Sequence, residues 1–313
     1  MSLGKEHLEY PHRSHGMDHE RYEWSMLADR KPVQWPDNSS LALWVNVSLQ
    51  FFPMNQNGVP FAPPGGMTMP YPDLRHYTLR DYGNRVGIYR VLDALQSRDI
   101  RASFAVNGQL AERNPGLVKT LAEYGEIVAH GWNMDTLHYG GLDMNLEHEQ
   151  TLRTLEALRS VSGQSIRGWL SPARNESENT PELIAENGID YLCDWVNDDM
   201  PYPFFTQQGP LTALPLSTEL EDRFVIQNNQ HSEESWKEQV CDAGDMLLSE
   251  ARAEGVEGER GAGRLLSLSL HPWLIGQPHR ISKLEAVLDY LQQQPGVWTA
   301  SPAEIVDCWR SQQ

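Results

Sequence analysis

Two histidines and an aspartate stand where short apolar segments of the sequence end. His130 and Asp194 each close such a segment, and His271 directly follows the apolar run 265–270. An imidazole takes up and releases protons near neutral pH, and a carboxylate beside it can orient the ring. These residue types at the ends of predicted strands indicate general acid–base catalysis.

The neighbours of the two histidines differ. Gly131 follows His130, so the backbone there can approach a ligand closely, although a histidine at such a place can equally serve as a structural hydrogen-bonding residue. Pro272 follows His271 and prevents a helix or a strand ladder from continuing. We therefore expect His271 to be held at the end of its strand and to carry the proton transfer.

Helical and strand-like segments alternate along the chain from residue 41 onward. Apolar runs and helical periodicity define them. Helices are predicted at 82–98, 115–124, 146–161, 180–188, 235–254, 281–293 and from Pro302; strands are predicted at 41–49, 100–106, 126–130, 166–170, 189–194, 265–270 and 297–300, with two short extra strands at 212–216 and 224–227. The alternation predicts one α/β domain with a parallel sheet.

About seven or eight such units favour a distorted, incompletely closed parallel (β/α) barrel. Its active site would lie at the carboxyl ends of the strands, where the two histidines stand. Residues 1–40 are polar and lack periodicity, so we expect an N-terminal arm, with residues 41–313 forming a single catalytic domain. A loop at 53–73, rich in Pro, Gly and Met, is expected to act as a lid or a subunit contact. The arm and the loop together predict a homo-oligomer.

The overall charge restricts the partners of the chain. It has 25 Lys and Arg residues against 43 Asp and Glu residues, a formal net charge of −18, which disfavours nucleic acid and anionic membrane surfaces. No apolar stretch is long enough for a membrane span, and the N-terminus is polar, so we expect a cytoplasmic protein. The odd set of Cys193, Cys241 and Cys308 lacks CxxC spacing and predicts reduced thiols. The expected partner is a small-molecule substrate.

Further polar and aromatic residues stand beside the predicted strand ends, and we consider them candidates for substrate binding. They are Gln50, Asp135, Ser171, Arg174, Trp132, Trp169 and Trp195, with Trp273 following His271. Tryptophan rings could stack on a flat ring or a sugar face. Packing of some of these tryptophans in the core is the alternative.

Four short motifs occur in the order found in the polysaccharide deacetylase superfamily. They are His130-Gly-Trp132, Gly168-Trp-Leu-Ser-Pro172, Asp194-Trp195 and Leu268-Ser-Leu-His271. Over about residues 20–311 the chain resembles this superfamily, and within it the branch of metal-independent bacterial allantoinases. The resemblance implies an incomplete parallel barrel, in which His271 protonates the leaving nitrogen and Asp194 orients it. It also implies that Asn84 and Arg85 donate to a substrate carbonyl.

The sequence departs from the metal-dependent members of that superfamily at the metal site. Their Asp-Asp pair falls on 48–50, which reads Ser-Leu-Gln, and their second histidine ligand falls on Met134. A thioether does not replace imidazole for a hard or borderline divalent cation, and catalytic zinc takes three protein ligands. Their arginine that steadies the base falls on Leu170, although Arg174 is close by. We therefore expect no resident cofactor or metal, while a divalent metal at His130, for instance with Asp135 and His138, stays open.

These observations favour a metal-independent hydrolase that opens a small cyclic amide, ureide or imide. In this hypothesis His271 is the general acid, Asp194 orients it, and His130 binds or polarises the substrate. Ring strain lowers the demand on a catalyst that lacks a Lewis acid. A metal-dependent carbohydrate N-deacetylase and a non-catalytic barrel that binds a small molecule are the alternatives.

Overall fold

Parallel strands form a curled sheet that helices surround. The computed structural model describes residues 19–56, 74–253 and 262–313. The strands are β1 (Leu41–Leu49), β2 (Ala102–Val106), β3 (Gly125–Ala129), β4 (Gly168–Trp169), β5 (Tyr191–Leu192), β6 (Tyr202–Phe204), β7 (Leu211–Ala213), β8 (Arg264–Leu270) and β9 (Val297–Thr299). The helices are α1 (Leu74–Tyr82), α2 (Ile88–Gln96), α3 (Gly108–Arg113), α4 (Pro115–Tyr124), α5 (Met144–Ser162), α6 (Thr180–Glu186), α7 (Glu233–Arg252), α8 (Ile281–Gln293) and α9 (Pro302–Arg310). Two π-helical turns, Gly83–Gly87 and Arg223–Asn228, complete the main elements.

The order of the strands gives an incompletely closed barrel, as predicted. It runs β6-β7-β5-β4-β3-β2-β1-β8, and all pairs are parallel except β6 with β7. β9 and β2 both pair with β1 on the side away from β8: β9 pairs with Leu41–Leu43, and β2 pairs with Val45–Leu49. Within the described residues the outermost strands β6 and β8 do not pair with each other, so the barrel stays open there.

The prediction of a second extra strand at 224–227 is wrong. This segment lies in the π-helical turn Arg223–Asn228, where Val225 and Ile226 are buried. A short apolar run is compatible both with a buried strand and with a buried helical turn, so hydrophobic periodicity alone cannot distinguish the two. The short elements α3 and β6 were not anticipated either.

Side chains of β1 alternate between two environments. Leu43 and Val45 pack in the core that faces the helices, whereas Trp44 belongs to the cluster inside the barrel. Towards the carboxyl end the interior becomes polar: Trp44 Nε1 donates to Ser103 Oγ at 2.8 Å, and Ser103 Oγ donates to Asn46 Oδ1 at 2.9 Å. The barrel is thus apolar at one end and polar at the end where the site lies.

The described part of the N-terminal arm packs on its own domain. Arg21 forms an ion pair with Glu182 at 2.5 Å, and its carbonyl oxygen accepts from the backbone of Phe205 at 2.7 Å. Trp35 is buried and donates to the carbonyl oxygen of Arg264 at 2.7 Å. Residues 1–18 and most of the 53–73 loop lie outside the described residues. None of the helices that the structure describes is long and apolar enough to cross a membrane.

Glycines allow the helical segment 74–96 to lie against the turn that follows β8. A Cβ atom on Gly87 would stand 2.1 Å from the carbonyl oxygen of Pro272, and one on Gly83 would stand 2.5 Å from the backbone nitrogen of Trp273. Both glycines lie in the π-helical turn, a local feature that is frequent at functional sites. This close approach restrains the backbone directly after His271.

Replacing Gly87 with alanine should therefore destabilise the protein. We expect Gly87→Ala to lower the free energy of unfolding by about 1–3 kcal/mol, because the new methyl group meets backbone rather than a movable side chain. The matched control is Gly116→Ala in α4, where a Cβ atom meets nothing within 4 Å and a gain of about 0.5–1 kcal/mol is expected. Urea denaturation measures both, and equal stabilities of the two variants would contradict the close approach.

Candidate active site

Asp222 holds His271 at the carboxyl end of β8 by two contacts. Asp222 Oδ1 lies 2.7 Å from Nδ1 of the imidazole, and Oδ2 accepts the backbone N–H of His271 at 2.9 Å. Both side chains are buried. With a carboxylate on Nδ1, this nitrogen carries the proton, so Nε2 is the ring atom that remains for exchange.

The sequence-based assignment of Asp194 as the partner of His271 is therefore wrong. Asp194 lies after β5, where its Oδ1 accepts the backbone N–H of Ser171 at 2.7 Å. Asp222 stands in a loop between β7 and the π-helical turn Arg223–Asn228, and its side chain caps that turn. Strand-end reasoning could not find it, because Asp222 does not follow directly on a predicted strand.

Glu221 lies on the other side of the imidazole. Its Oε1 is 3.9 Å from His271 Nε2 and 2.8 Å from Arg223 Nε, and its Oε2 is 3.2 Å from an Arg174 nitrogen. Burial raises the pKa of Glu221, but the charges of Arg223 and Arg174, together with that of the His271 ring when it is protonated, outweigh burial and bring the pKa below its ordinary value. An ionised carboxylate thus faces the nitrogen that exchanges protons.

His130 is neutral and presents a lone pair. Its Nδ1 lies 2.8 Å from the carbonyl oxygen of Leu170 and donates to it, and its Nε2 lies 3.4 Å from the side-chain nitrogen of Gln50. Desolvation by complete burial lowers the pKa of His130 to about 4, and the charge of His271 contributes in the same direction. This ring therefore accepts hydrogen bonds and does not polarise a carbonyl as a donor.

Asp194 and Glu176 are two buried carboxyl groups, and burial raises the pKa of both. The charge of Asp194 raises the pKa of Glu176 further, well above its usual range. Glu176 Oε2 accepts from Trp195 Nε1 at 3.1 Å. Of the two, we infer that Glu176 is the protonated one, because Asp194 accepts from Ser171 and feels the positive charge of Arg174. The pair connects to the histidine cluster through Arg174.

Three of the predicted tryptophans are occupied by protein contacts. Trp169 is fully buried and donates to Ser171 Oγ at 2.9 Å. The guanidinium of Arg153 covers the ring of Trp132 at 3.8 Å. Trp195 packs against arm residues, with ring centroids 5.5 Å from His19 and 5.8 Å from Tyr22. The three rings thus pack against other parts of the protein, which agrees with the alternative interpretation as packing residues.

Three further residues predicted to bind substrate, Asn84, Arg85 and Asp135, lie in different surroundings. Asn84 Nδ2 donates to the backbone oxygen of Gln50 at 2.9 Å, so Asn84 positions Gln50. The side chain of Arg85 is 76% exposed and pairs with Asp81 at 3.6 Å, which removes it from the site. Asp135 is half-buried in the loop after His130, where its backbone N–H donates to Asn133 Oδ1 at 2.8 Å.

Sequence reasoning missed Glu221, Asp222 and Arg80. Arg80 is buried beneath the site, with its guanidinium 3.5 Å from the ring of Trp273. Burial and, after it, the positive charge of Arg223 lower the pKa of Arg80 to about 9, with the charge of Asp222 acting against this shift. A usable signal existed for Asp222, since an aspartate before an apolar run is a helix-capping pattern.

The described residues do not fit a catalytic divalent metal. No group of three or more His, Cys, Asp or Glu side chains that could hold an ion occurs in 19–56, 74–253 or 262–313. The alternative set of His130, Asp135 and His138 is not assembled, because Nδ1 of His138 lies 2.8 Å from the buried carboxylate of Glu147. Glu147 also accepts from Ser177 at 2.6 Å, which makes this a structural network. We derive no step through a metal.

The buried state of His130 predicts a loss of stability in acid. The folded protein keeps this ring neutral down to pH about 4, whereas the unfolded chain takes up a proton below about 6.5. The stabilising contribution is complete above pH 6.5 and falls by up to about 3 kcal/mol as the pH drops to 4. We expect His130→Asn, which keeps a donor for Leu170, to lose less stability than the wild type between pH 7 and pH 4.5 in urea titrations. Parallel curves would contradict the assignment, and an NMR titration gives the pKa directly.

Comparison with known proteins adds two kinds of match. Residues 75–192 match the family model described as Polysaccharide deacetylase, a range that contains His130 and ends before His271. A protein of Schizosaccharomyces pombe named "Putative polysaccharide deacetylase" is 25% identical over 312 residues, covering 89% of this chain and 94% of that protein. The curated match thus extends beyond the range of the family model.

Two solved structures share the fold over nearly the whole chain. Puue allantoinase has a TM-score of 0.78 and 24% identity, with 90% of this chain and 94% of that chain covered. A probable polysaccharide deacetylase from Pseudomonas aeruginosa PAO1 has a TM-score of 0.78 and 24% identity, with 91% and 96% covered. The resemblance that the sequence motifs indicated is confirmed: residues 75–192 match the polysaccharide deacetylase family model, and the chain shares the fold of these two solved structures.

Proposed function

We propose that the chain hydrolyses a carbon–nitrogen bond other than a peptide bond, opening a small cyclic amide, ureide or imide without a metal. The family match supports the hydrolase class. The observation that carries the proposal is the double contact of Asp222 with His271, which leaves Nε2 as the atom for proton exchange. The absence of a three-residue ligand set among the described residues supports metal independence.

The reaction requires two proton transfers, and His271 Nε2 can perform both. As water attacks the carbonyl carbon, Nε2 takes a proton from the water. When the carbon–nitrogen bond then breaks, Nε2 gives a proton to the leaving nitrogen, and the imidazole returns to its starting state. The products are a carboxylic acid and, for an amide, ureide or imide respectively, an amine, a urea or an amide group. Both groups remain in one molecule if the substrate is a ring.

The two carboxylates beside His271 stabilise the charged intermediate form of the catalyst. Asp222 faces Nδ1, and Glu221 lies 3.9 Å from Nε2, so the imidazolium formed after the first transfer has an anion on both sides. Arg174 and Arg223 compensate the charge of Glu221 in the buried site. The neutral His130 accepts from the side-chain nitrogen of Gln50 at 3.4 Å and so orients that amide at the site.

A metal-free assay tests the proposed activity. We expect chelator-treated protein, shown by elemental analysis to lack bound metal, to hydrolyse at least one of hydantoin, dihydrouracil, succinimide and allantoin. N-acetylglucosamine oligomers serve as the comparison substrate. Hydrolysis of acetylated sugars alone, and only after divalent metal is restored, would contradict the proposal; no turnover of any compound would favour the binding-protein alternative.

A pair of aspartate variants tests which carboxylate positions His271. We expect Asp222→Asn to lower kcat by about 10²- to 10⁴-fold, because an amide can turn its NH₂ group toward Nδ1 and then no longer fixes the proton on that nitrogen. The loss should fall on kcat with KM little changed, a split that a purely structural defect does not produce. Asp194→Asn is the matched control, a second buried aspartate at the rim, with an expected loss below about tenfold. The reverse order of the two losses would restore Asp194 as the orienting group.

A further inference from the structure

Two buried polar atoms beside the histidines have no hydrogen-bond partner among residues 19–56, 74–253 and 262–313. They are Oε1 of Gln50 and Nε1 of Trp273, in side chains that are 7% and 3% exposed. The first is an acceptor and the second is a donor. Buried polar groups in native proteins are nearly always paired. The unpaired acceptor of Gln50 beside His130 and the unpaired donor of Trp273 beside His271 therefore indicate a ligand that hydrogen-bonds to both.

The contacts of Gln50 determine which end of its amide is open. The side-chain nitrogen lies 3.4 Å from Nε2 of His130, and that Nε2 carries a lone pair because Nδ1 donates to Leu170. The nitrogen end of the amide is therefore bound to the imidazole, and Oε1 is left to accept a hydrogen bond. Asn84 holds the backbone oxygen of Gln50 at 2.9 Å, so the residue is fixed at the end of β1.

The contacts of Trp273 fix the orientation of its buried indole ring. Arg80 lies 3.5 Å from the ring centroid and covers one face. The imidazole of His271 lies at an angle of 60° with its centroid 5.7 Å away, and the close backbone approach of Gly83 holds the residue from the helix side. The indole is thus oriented by its neighbours, while its N–H has no acceptor in the part of the chain that the structure describes.

We propose that Gln50 and Trp273 form a recognition pair for a ring that carries both an N–H and a carbonyl group. Gln50 Oε1 accepts the ligand N–H, and Trp273 Nε1 donates to a ligand carbonyl oxygen. The pair selects amides, ureides or imides with an unalkylated nitrogen and rejects rings whose nitrogens are alkylated, because these leave Gln50 Oε1 buried and unpaired. The inference rests on the proposed function for the site it describes, but it concerns binding and not proton transfer.

Methylated hydantoins provide the probes. Binding is measured by calorimetry in a His271→Asn background, so that no turnover intervenes, with hydantoin, its two N-monomethyl derivatives and N,N′-dimethylhydantoin. We expect the dimethyl compound to bind about 10- to 100-fold more weakly than hydantoin, and Gln50→Leu to abolish most of that difference. Trp273→Phe, which keeps a ring for Arg80, should weaken binding of hydantoin by a similar factor. Trp309→Phe in α9, at the other end of the barrel, is the matched control and should leave binding unchanged.

Each outcome separates the inference from the proposed function. Selective binding that Gln50 and Trp273 control supports the inference, even if the protein with His271 intact shows no turnover and the proposed function fails. Equal binding of hydantoin and its dimethyl derivative, unchanged binding in a correctly folded Trp273→Phe variant, or no binding of any of these compounds overturns the inference. Melting temperatures identify variants that have not folded. The same fold-changes should appear in kcat/KM wherever hydantoin is turned over.

Discussion

The contact between Asp222 and His271 is the interaction on which the rest of the site depends. One carboxylate fixes both the ring and the backbone of the histidine, and it is itself buried and caps a π-helical turn. Because Nδ1 is bound, the single free nitrogen of the ring faces Glu221. Asp222, which is distant from β8 in the sequence, therefore determines which ring nitrogen of His271 can exchange a proton and where that nitrogen points.

The barrel supports this contact by restricting the backbone around it. The glycines of the π-helical turn Gly83–Gly87 allow a helix to touch the turn at Pro272 and Trp273, so the residues after β8 have little room to move. The interior of the barrel changes from the apolar environment of Trp44 to the polar chain of Ser103 and Asn46 as it approaches the rim. Hydrophobic packing thus holds the strands, while polar groups are concentrated where a substrate would bind.

Burial gives the two histidines different properties although their sequence positions are similar. His130 has a backbone carbonyl as its partner, and desolvation keeps it neutral. His271 has a carboxylate on each side, Asp222 at Nδ1 and Glu221 3.9 Å from Nε2. A low-dielectric site strengthens each of these contacts, so a single hydrogen-bond partner decides whether an imidazole acts as an acceptor or as an acid. The raised pKa of Glu176 has the same cause, since burial disfavours its charged form and the charge of Asp194 raises the pKa further.

Local pattern in the sequence was sufficient for the parallel barrel, the strand ends that carry His130 and His271, and helices such as α8, whose boundaries match the prediction. These features depend on periodicity and on residues close together in the chain, which a sequence displays directly. The sequence pattern could not show that Asp222 rather than Asp194 contacts His271. Nor could it show that the Arg85 side chain is exposed, or that Trp132 and Trp169 pack against other side chains. Those outcomes were decided by tertiary structure, because they depend on which distant segments the folded sheet brings within hydrogen-bonding distance and on how far each group is removed from water.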